Sequence, residues 1–323
     1  MPKSSAQTSP HSWGQRLTNK ISAKGLLHWV VLIAITLYLI HKLSLIGWAD
    51  IWQSRPTSPL FYILSLAIMF LPIIADKITF DILTARRMIL PLKIFIRKLA
   101  LNKAVLTYSG EAYMAQQLSQ IHKVKLKKAA IVIKDQTLVR TFVANLWVII
   151  LVLAALVFGN AGILQKVALI SPALLISVNL ICILVCAGAL FFYHKLTTIT
   201  FTLAAKIASV FLLRSFLVSV TLMAQWSLAM PVTALSVWFI FLVVFSLTRK
   251  SPVGGELVFV SVALTLPGLE QNSAQVAAML VTLLALNQTN YFIAFLLTSD
   301  FNPKTIFKQA SKPNAPHQNP KVI

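Results

Sequence analysis

Apolar runs long enough to cross a lipid bilayer recur along this chain, with lysines and arginines collected between them. They lie at about residues 26–46, 59–74, 138–158, 168–192, 199–223, 232–247, 252–267 and 273–297. A helix needs about 20 apolar residues to span a hydrocarbon core about 30 Å thick. Composition agrees: of the 323 residues, 58% are hydrophobic and 11% charged, whereas a soluble domain carries about 25% charged residues. The expected fold is all-α, a polytopic transmembrane helix bundle of about eight spans plus a re-entrant hairpin. Residues 1–25 read as a cytoplasmic tail, 26–299 as the membrane domain, and 300–323 as a disordered cytoplasmic tail rich in Pro, Asn and Lys.

The formal net charge is +21, from 29 Lys and Arg against 8 Asp and Glu. Its placement points to the partner. The stretch from Lys77 to Arg140 is dense in cations, and His194, Lys195, Arg249 and Lys250 mark two further basic turns. The loops at residues 47–58, 159–167, 225–231 and 268–272 hold one cation or none. That alternation is the positive-inside pattern. It predicts a multi-pass protein of the cell inner membrane, with both termini cytoplasmic and anionic membrane lipids as contacts. No basic stripe with interleaved aromatics lies on a polar segment, which argues against nucleic acid. The first run is too long for a signal-peptide core and reads as a retained span.

Within the basic stretch, residues 99–118 are apolar but broken by Asn102, Lys103 and the turn Ser109, Gly110, Glu111. This suits a re-entrant hairpin, tolerated at membrane depth where protein or a water-filled cavity surrounds it. A similar turn, Gly254, Gly255, Glu256, opens the seventh run. That run is short, at roughly 21 Å of helix. Short glycine-broken segments at corresponding places in two halves point to the site in transporter-like folds, so an internal two-fold repeat is also expected. Glycine permits a sharp turn. Ser109 is a good N-cap, and a helix start exposes N–H groups that suit a phosphate. The plainer reading is that a Glu in a first turn favours the helix dipole.

Arg214 is the costliest residue, flanked by Phe211, Leu212, Leu213, Phe216, Leu217 and Val218. A charge near the bilayer centre costs at least about 2.5–3.5 kcal/mol. It reads either as an anion site, for instance for a lipid phosphate, or as a structural ion pair with a carboxylate such as Glu256. Lys206 lies near the cytoplasmic end of the same run and can snorkel. Asp76, Lys77, Asp81, Arg86 and Arg87 follow a helical rhythm and suit an interfacial anchor or a cavity wall. Asn287, Gln288, Thr289 and Asn290 interrupt the last run, and four such residues cannot all face lipid cheaply.

No phosphate-binding GxxxxGK[ST] loop, zinc-spaced histidine pair or GxSxG elbow occurs, and the expectation is no metal, no cofactor and no enzyme. Cys182 and Cys186 share one helix face and read as packing residues.

The order of these features resembles the transmembrane region of lysylphosphatidylglycerol synthases and the stand-alone flippase-like membrane proteins related to it. The matching elements are Arg86 and Arg87 after the second run, the turn Ser109, Gly110, Glu111, the basic loop from Lys123 to Lys128, and the turn from Pro252 to Glu256. The likeness covers about residues 20–300. The first turn lacks the family's Pro-Gly-Gly run, and no arginine closely follows Glu111. The synthase's catalytic domain has no counterpart, so aminoacyl transfer is not implied. The resemblance implies lipid binding and flipping, with Glu111, Glu256, Gly110, Gly254, Gly255 and Arg86 as substrate-binding candidates, to which the buried charge of Arg214 adds a further one. The alternatives are a membrane enzyme, or a non-catalytic accessory subunit of a lipid or envelope biosynthetic enzyme. A membrane-protein partner or homo-oligomer fits either.

Overall fold

The structure is a computed structural model that describes residues 23–104, 108–158, 172–191, 199–249, 255–265 and 272–298. The two tails, the loop holding Lys166, the turns at His194 and Lys195, Lys250, Pro252, Gly254 and the loop holding Glu270 lie outside the described residues. The described residues form eleven helices and no strand. In chain order these are α1 (Ala23–Ile46), α2 (Trp48–Gln53), α3 (Pro59–Leu83), α4 (Leu92–Ala104), α5 (Ser109–His122), α6 (Leu126–Phe158), α7 (Pro172–Phe191), α8 (Phe201–Ala229), α9 (Leu235–Thr248), α10 (Gly255–Ala263) and α11 (Ser273–Thr298).

Local chemistry sets several boundaries. Pro59 opens α3, where its fixed φ and missing N–H cost nothing. Thr200 caps α8 by accepting from the Leu203 N–H. Ser109 does not cap α5. Tyr108 stands before α5 at φ +73°, while Ser109 donates to the Leu101 carbonyl at 2.9 Å. Asn102 does the capping instead, its Oδ1 accepting from the Gly110 N–H at 2.7 Å.

α3, α6, α8 and α11 are long and apolar enough to cross a membrane. At 25 to 33 residues each exceeds about 35 Å. α9 has 14 residues and α10 has 9, so each falls short of the roughly 30 Å hydrocarbon thickness. The segment expected as the seventh span is therefore a short helix in the described residues.

Burial is inverted relative to a water-soluble protein. Ile63, Val157, Leu184, Phe292 and Leu297 are 60% or more exposed, while Asp76, Lys98, Glu111 and Asp135 are 8% or less exposed. Water would reverse that arrangement. A hydrocarbon surround accounts for it, because apolar side chains lose nothing there and charges are driven inward to pair.

α3 and α8 form the central pair and run antiparallel. Gln225, late in α8, donates to the Phe61 carbonyl, early in α3, at 2.7 Å, and Ile82 and Leu83 pack on the buried Ala204, Ile207 and Phe211. α4 folds back on α5, and α9 packs on α10. α4 lies along α11 and α9 along α6. Arg97, midway along α4, reaches the Thr298 carbonyl at the end of α11. Phe239, early in α9, stacks on Phe158 at the end of α6.

Candidate functional site

Two glycines allow the hairpins to close. A Cβ on Gly110 would meet the Lys98 carbonyl oxygen directly and Asn102 Oδ1 at 2.8 Å. A Cβ on Gly255 would stand 2.6 Å from the Thr248 carbonyl oxygen. Each glycine thus lets the first turn of the returning helix press against the backbone of the outgoing one. The next residue in each case is a glutamate, Glu111 or Glu256, and both are turned inward.

Glu111 joins a buried cluster drawn from four helices. Arg140 of α6 donates from Nη2 to Glu111 Oε1 at 2.6 Å and places Nη1 3.5 Å from Asp76 Oδ2 of α3. Lys98 of α4 lies 2.8 Å from Asp76 Oδ2 and 3.8 Å from Glu111 Oε1. Gln136 ties α6 to α3 by donating to the Asp76 carbonyl and to Thr79 Oγ1. Asp76 Oδ1 is buried with no hydrogen-bond partner.

Burial alone would raise the Glu111 carboxyl, but Arg140 and then Lys98 outweigh it and hold the group below its ordinary value. A depressed carboxylate contributes stability above its unfolded value and loses it as pH falls through the folded one. Glu111→Gln should therefore flatten the acid limb of the unfolding profile. The check is Tm against pH in detergent below the ordinary carboxylate range, and an unchanged slope would show that the pair adds nothing.

Glu256 joins the two hairpins. Lys103, at the end of α4, lies 2.9 Å from Glu256 Oε1. Gln288 and Tyr291 of α11 approach the same carboxylate at 3.4 and 3.5 Å, and the Lys103 ammonium sits 5.6 Å from the Tyr291 ring centroid. Burial lowers Lys103, an effect that Glu256 only partly offsets.

Arg214 lies on the inward stripe of α8. Ile207, Phe211, Val218, Leu222 and Gln225 are its buried members, and Arg214 completes their three-and-four spacing. None of the ion pairs among the described residues includes it. Its guanidinium stands 5.4 Å from the Phe211 ring and within electrostatic reach of Asp76, Arg140 and Arg249. The pairing of Arg214 with Glu256 weighed from sequence does not form, because Lys103 takes that carboxylate. Further along α8, Leu222 and Trp226, with Phe245, Glu256, Phe259 and Asn287, line a narrow cavity. Its volume is about 20 Å³, room for a water and not for a lipid headgroup.

The structure brings Arg214, Glu111, Glu256, Gly110 and Gly255 into or against this layer. Arg86 stands apart, exposed in the turn after α3 at φ +57°, and Gly254 lies outside the described residues. Lys206 is exposed near the start of α8. Asn287 lines the cavity with Glu256, while Gln288 and Thr289 are both exposed, Gln288 approaching the Glu256 carboxylate at 3.4 Å. Sequence reasoning missed the partners Lys98, Lys103 and Arg140 because each stood inside what reads as one basic cytoplasmic stretch. The available signal was Arg140, placed where that stretch turns into an apolar helix. Cys182 and Cys186 are free, and no cluster of metal-ligating side chains occurs among the described residues.

Fold and site together define a class: a helical membrane protein with a buried ionic layer at two short helical hairpins. No family model, curated protein or solved structure matches the chain.

Proposed function

We propose that this protein binds a lipid or lipid-linked molecule by an anionic headgroup at the hairpin tips and carries it across the inner membrane. The observation that carries the reading is the meeting of the tips at Lys103 and Glu256. Discontinuous helices meeting at mid-depth between two repeats are how secondary transporters build a substrate site.

The packing order supports two halves. Replace α1, α3, α4, α5 and α6 by α7, α8, α9, α10 and α11, and most helix contacts map onto one another. α4 on α11 becomes α9 on α6, α3 on α11 becomes α8 on α6, and α3 on α8 maps onto itself. Three crossings in each half give the second half inverted topology, with α4–α5 re-entrant from one side and α9–α10 from the other. On this count the chain crosses six times, and both termini still lie on the cytoplasmic side. The resemblance to the lysylphosphatidylglycerol synthase membrane region fits the same layout. Glu111 and Glu256 already face protein cations, so their role is to hold those cations in place.

The cavity is too small for a headgroup, so the tips must part during transport. Charge exchange tests this. In liposomes carrying a fluorescent lipid, Lys103→Glu sets two carboxylates against each other and should change the flipping rate at least about fivefold. Adding Glu256→Lys should bring the rate back within about twofold of wild type. A wild-type rate equal to that of protein-free liposomes would remove the transport reading.

A further inference from the structure

The outer end of the first hairpin carries a charge pattern unlike the ionic layer. Its two ends are pinned together. The His122 ring, at the end of α5, meets the Ile89 carbonyl, just before α4, at 3.1 Å. Ser119 donates to the Val124 carbonyl at 2.7 Å. Leu90, Leu118 and Ala129 are buried in one cluster beneath these turns. The result is a single rim made of residues 85–92 and 121–128. Arg86, Arg87, Lys123, Lys125, Lys127 and Lys128 are all exposed on it. Glu111 is the only acid from residue 82 to residue 134, and it is buried against Arg140. Asp135 is fully buried, and Asp81 pairs with Lys77. Among the described residues the one exposed acid is Asp50 of α2, which lies at the opposite end of α3.

Apolar side chains share the rim. Ile89 is 62% exposed, Leu126 57%, Ile121 47% and Leu92 39%. Facing water, such a cluster is a liability. At a membrane interface both kinds of side chain are satisfied, the apolar ones at the acyl boundary and the cations among headgroups. Depth agrees. α3 has 25 residues, about 37 Å of helix, a little more than the roughly 30 Å of hydrocarbon. Arg86 and Arg87, directly beyond its end, therefore stand at headgroup level. The contact of His122 with Ile89 brings the second turn to the same level.

We infer that this rim binds anionic lipid headgroups of the leaflet bordering it, as a standing lipid shell of the first hairpin and not as cargo. The inference goes beyond transport, since it requires only that the helices cross a membrane. A leaflet rich in anionic lipid draws clustered Lys and Arg, and the rim complements it. An acidic protein segment matches the charge but not the four exposed apolar side chains. Because the rim carries both ends of α4–α5, lipid bound there sets how deep Lys103 and Gly110 reach.

The test melts the full-length protein in neutral detergent with short-chain phosphatidylglycerol, short-chain phosphatidylcholine or polyglutamate. Phosphatidylglycerol at about a hundredfold its Kd should raise Tm by about 4 °C, and phosphatidylcholine by less than about 1 °C. Replacing Lys123, Lys125, Lys127 and Lys128 together by glutamine should remove most of that shift. Tm in detergent alone should not change, because all four are exposed. Lys127→Gln with Lys128→Gln should remove about half, and decides the matter if the fourfold variant does not fold. Ile89→Ser with Leu126→Ser should also reduce the shift, which attraction between charges alone does not predict. A full shift in the lysine variants places the lipid at the cargo site and overturns the inference. Equal shifts with the two lipids overturn it as well. A shift with polyglutamate that phosphatidylglycerol does not match overturns it in favour of an acidic protein partner.

Discussion

Replacing Arg214 by glutamine is expected to make the ligand-free protein harder to unfold and, at the same time, to reduce its transport at least about tenfold. The two effects have one cause. Arg214 sits on the packed stripe of α8 among Ile207, Phe211, Val218 and Leu222, with no carboxylate in its ion-pair shell. A central charge costs at least about 2.5–3.5 kcal/mol, and Phe211 returns only part of it as a cation–π contact. Glutamine keeps most of the length, drops the charge and can bond locally. A gain of about 1–2 kcal/mol follows, or about 1.5–3 °C in Tm for a protein of this size. A purely structural arginine predicts the reverse, because removing a paired charge destabilises by about 3–5 kcal/mol. Thermal unfolding in detergent reads the first effect and lipid flipping in liposomes reads the second. A lower Tm with an unchanged flipping rate would make Arg214 a structural residue and nothing more.

That opposition explains why Arg214 is legible in the sequence. A charge in a long apolar run announces itself, since each neighbour is a reason for it not to be there. The glutamates and glycines were legible for a related reason: glycine followed by an acid interrupts hydrophobic periodicity. The partners were not legible. Lys98 and Arg97 are adjacent, yet the first is 2% exposed against Asp76 and the second reaches Thr298. In sequence they are two cations of one basic run. What separates them is the face of α4 each occupies once α5 folds back, and no local pattern encodes which helix will lie on that face. Asp76 was ambiguous for the same reason. A carboxylate near the end of an apolar run is an anchor if it faces water and a cluster member if α6 delivers Arg140 to it. Arg86 shows the opposite error of position. It follows α3 as a cation should, but the turn at Ala85 and Arg86 adopts positive φ and carries the side chain away from the layer.

Gly110→Ala is expected to be the most damaging glycine-to-alanine change among the described residues. The space that Cβ would take is already held by the Lys98 carbonyl oxygen and by Asn102 Oδ1, and backbone cannot swing aside as a flexible side chain can. Relief requires α5 to move off α4. That displacement breaks the Gly110 N–H bond to Asn102, drags Glu111 away from Arg140, and shifts the backbone that holds Lys98 against Asp76. Overpacking alone costs about 1–3 kcal/mol, and a separated buried pair adds about 3 kcal/mol or more. Gly188→Ala is the internal control. It lies in α7 with nothing within 4 Å of its added Cβ, so it should be neutral or stabilise by up to about 1 kcal/mol through helix propensity. Gly255→Ala, where Thr248 stands 2.6 Å away, should fall with Gly110→Ala and not with the control. Unfolding midpoints of the three purified variants decide the matter. If Gly110→Ala matches Gly188→Ala, the hairpins are not closed by glycine contact, and the buried ionic layer does not depend on how closely they fold back.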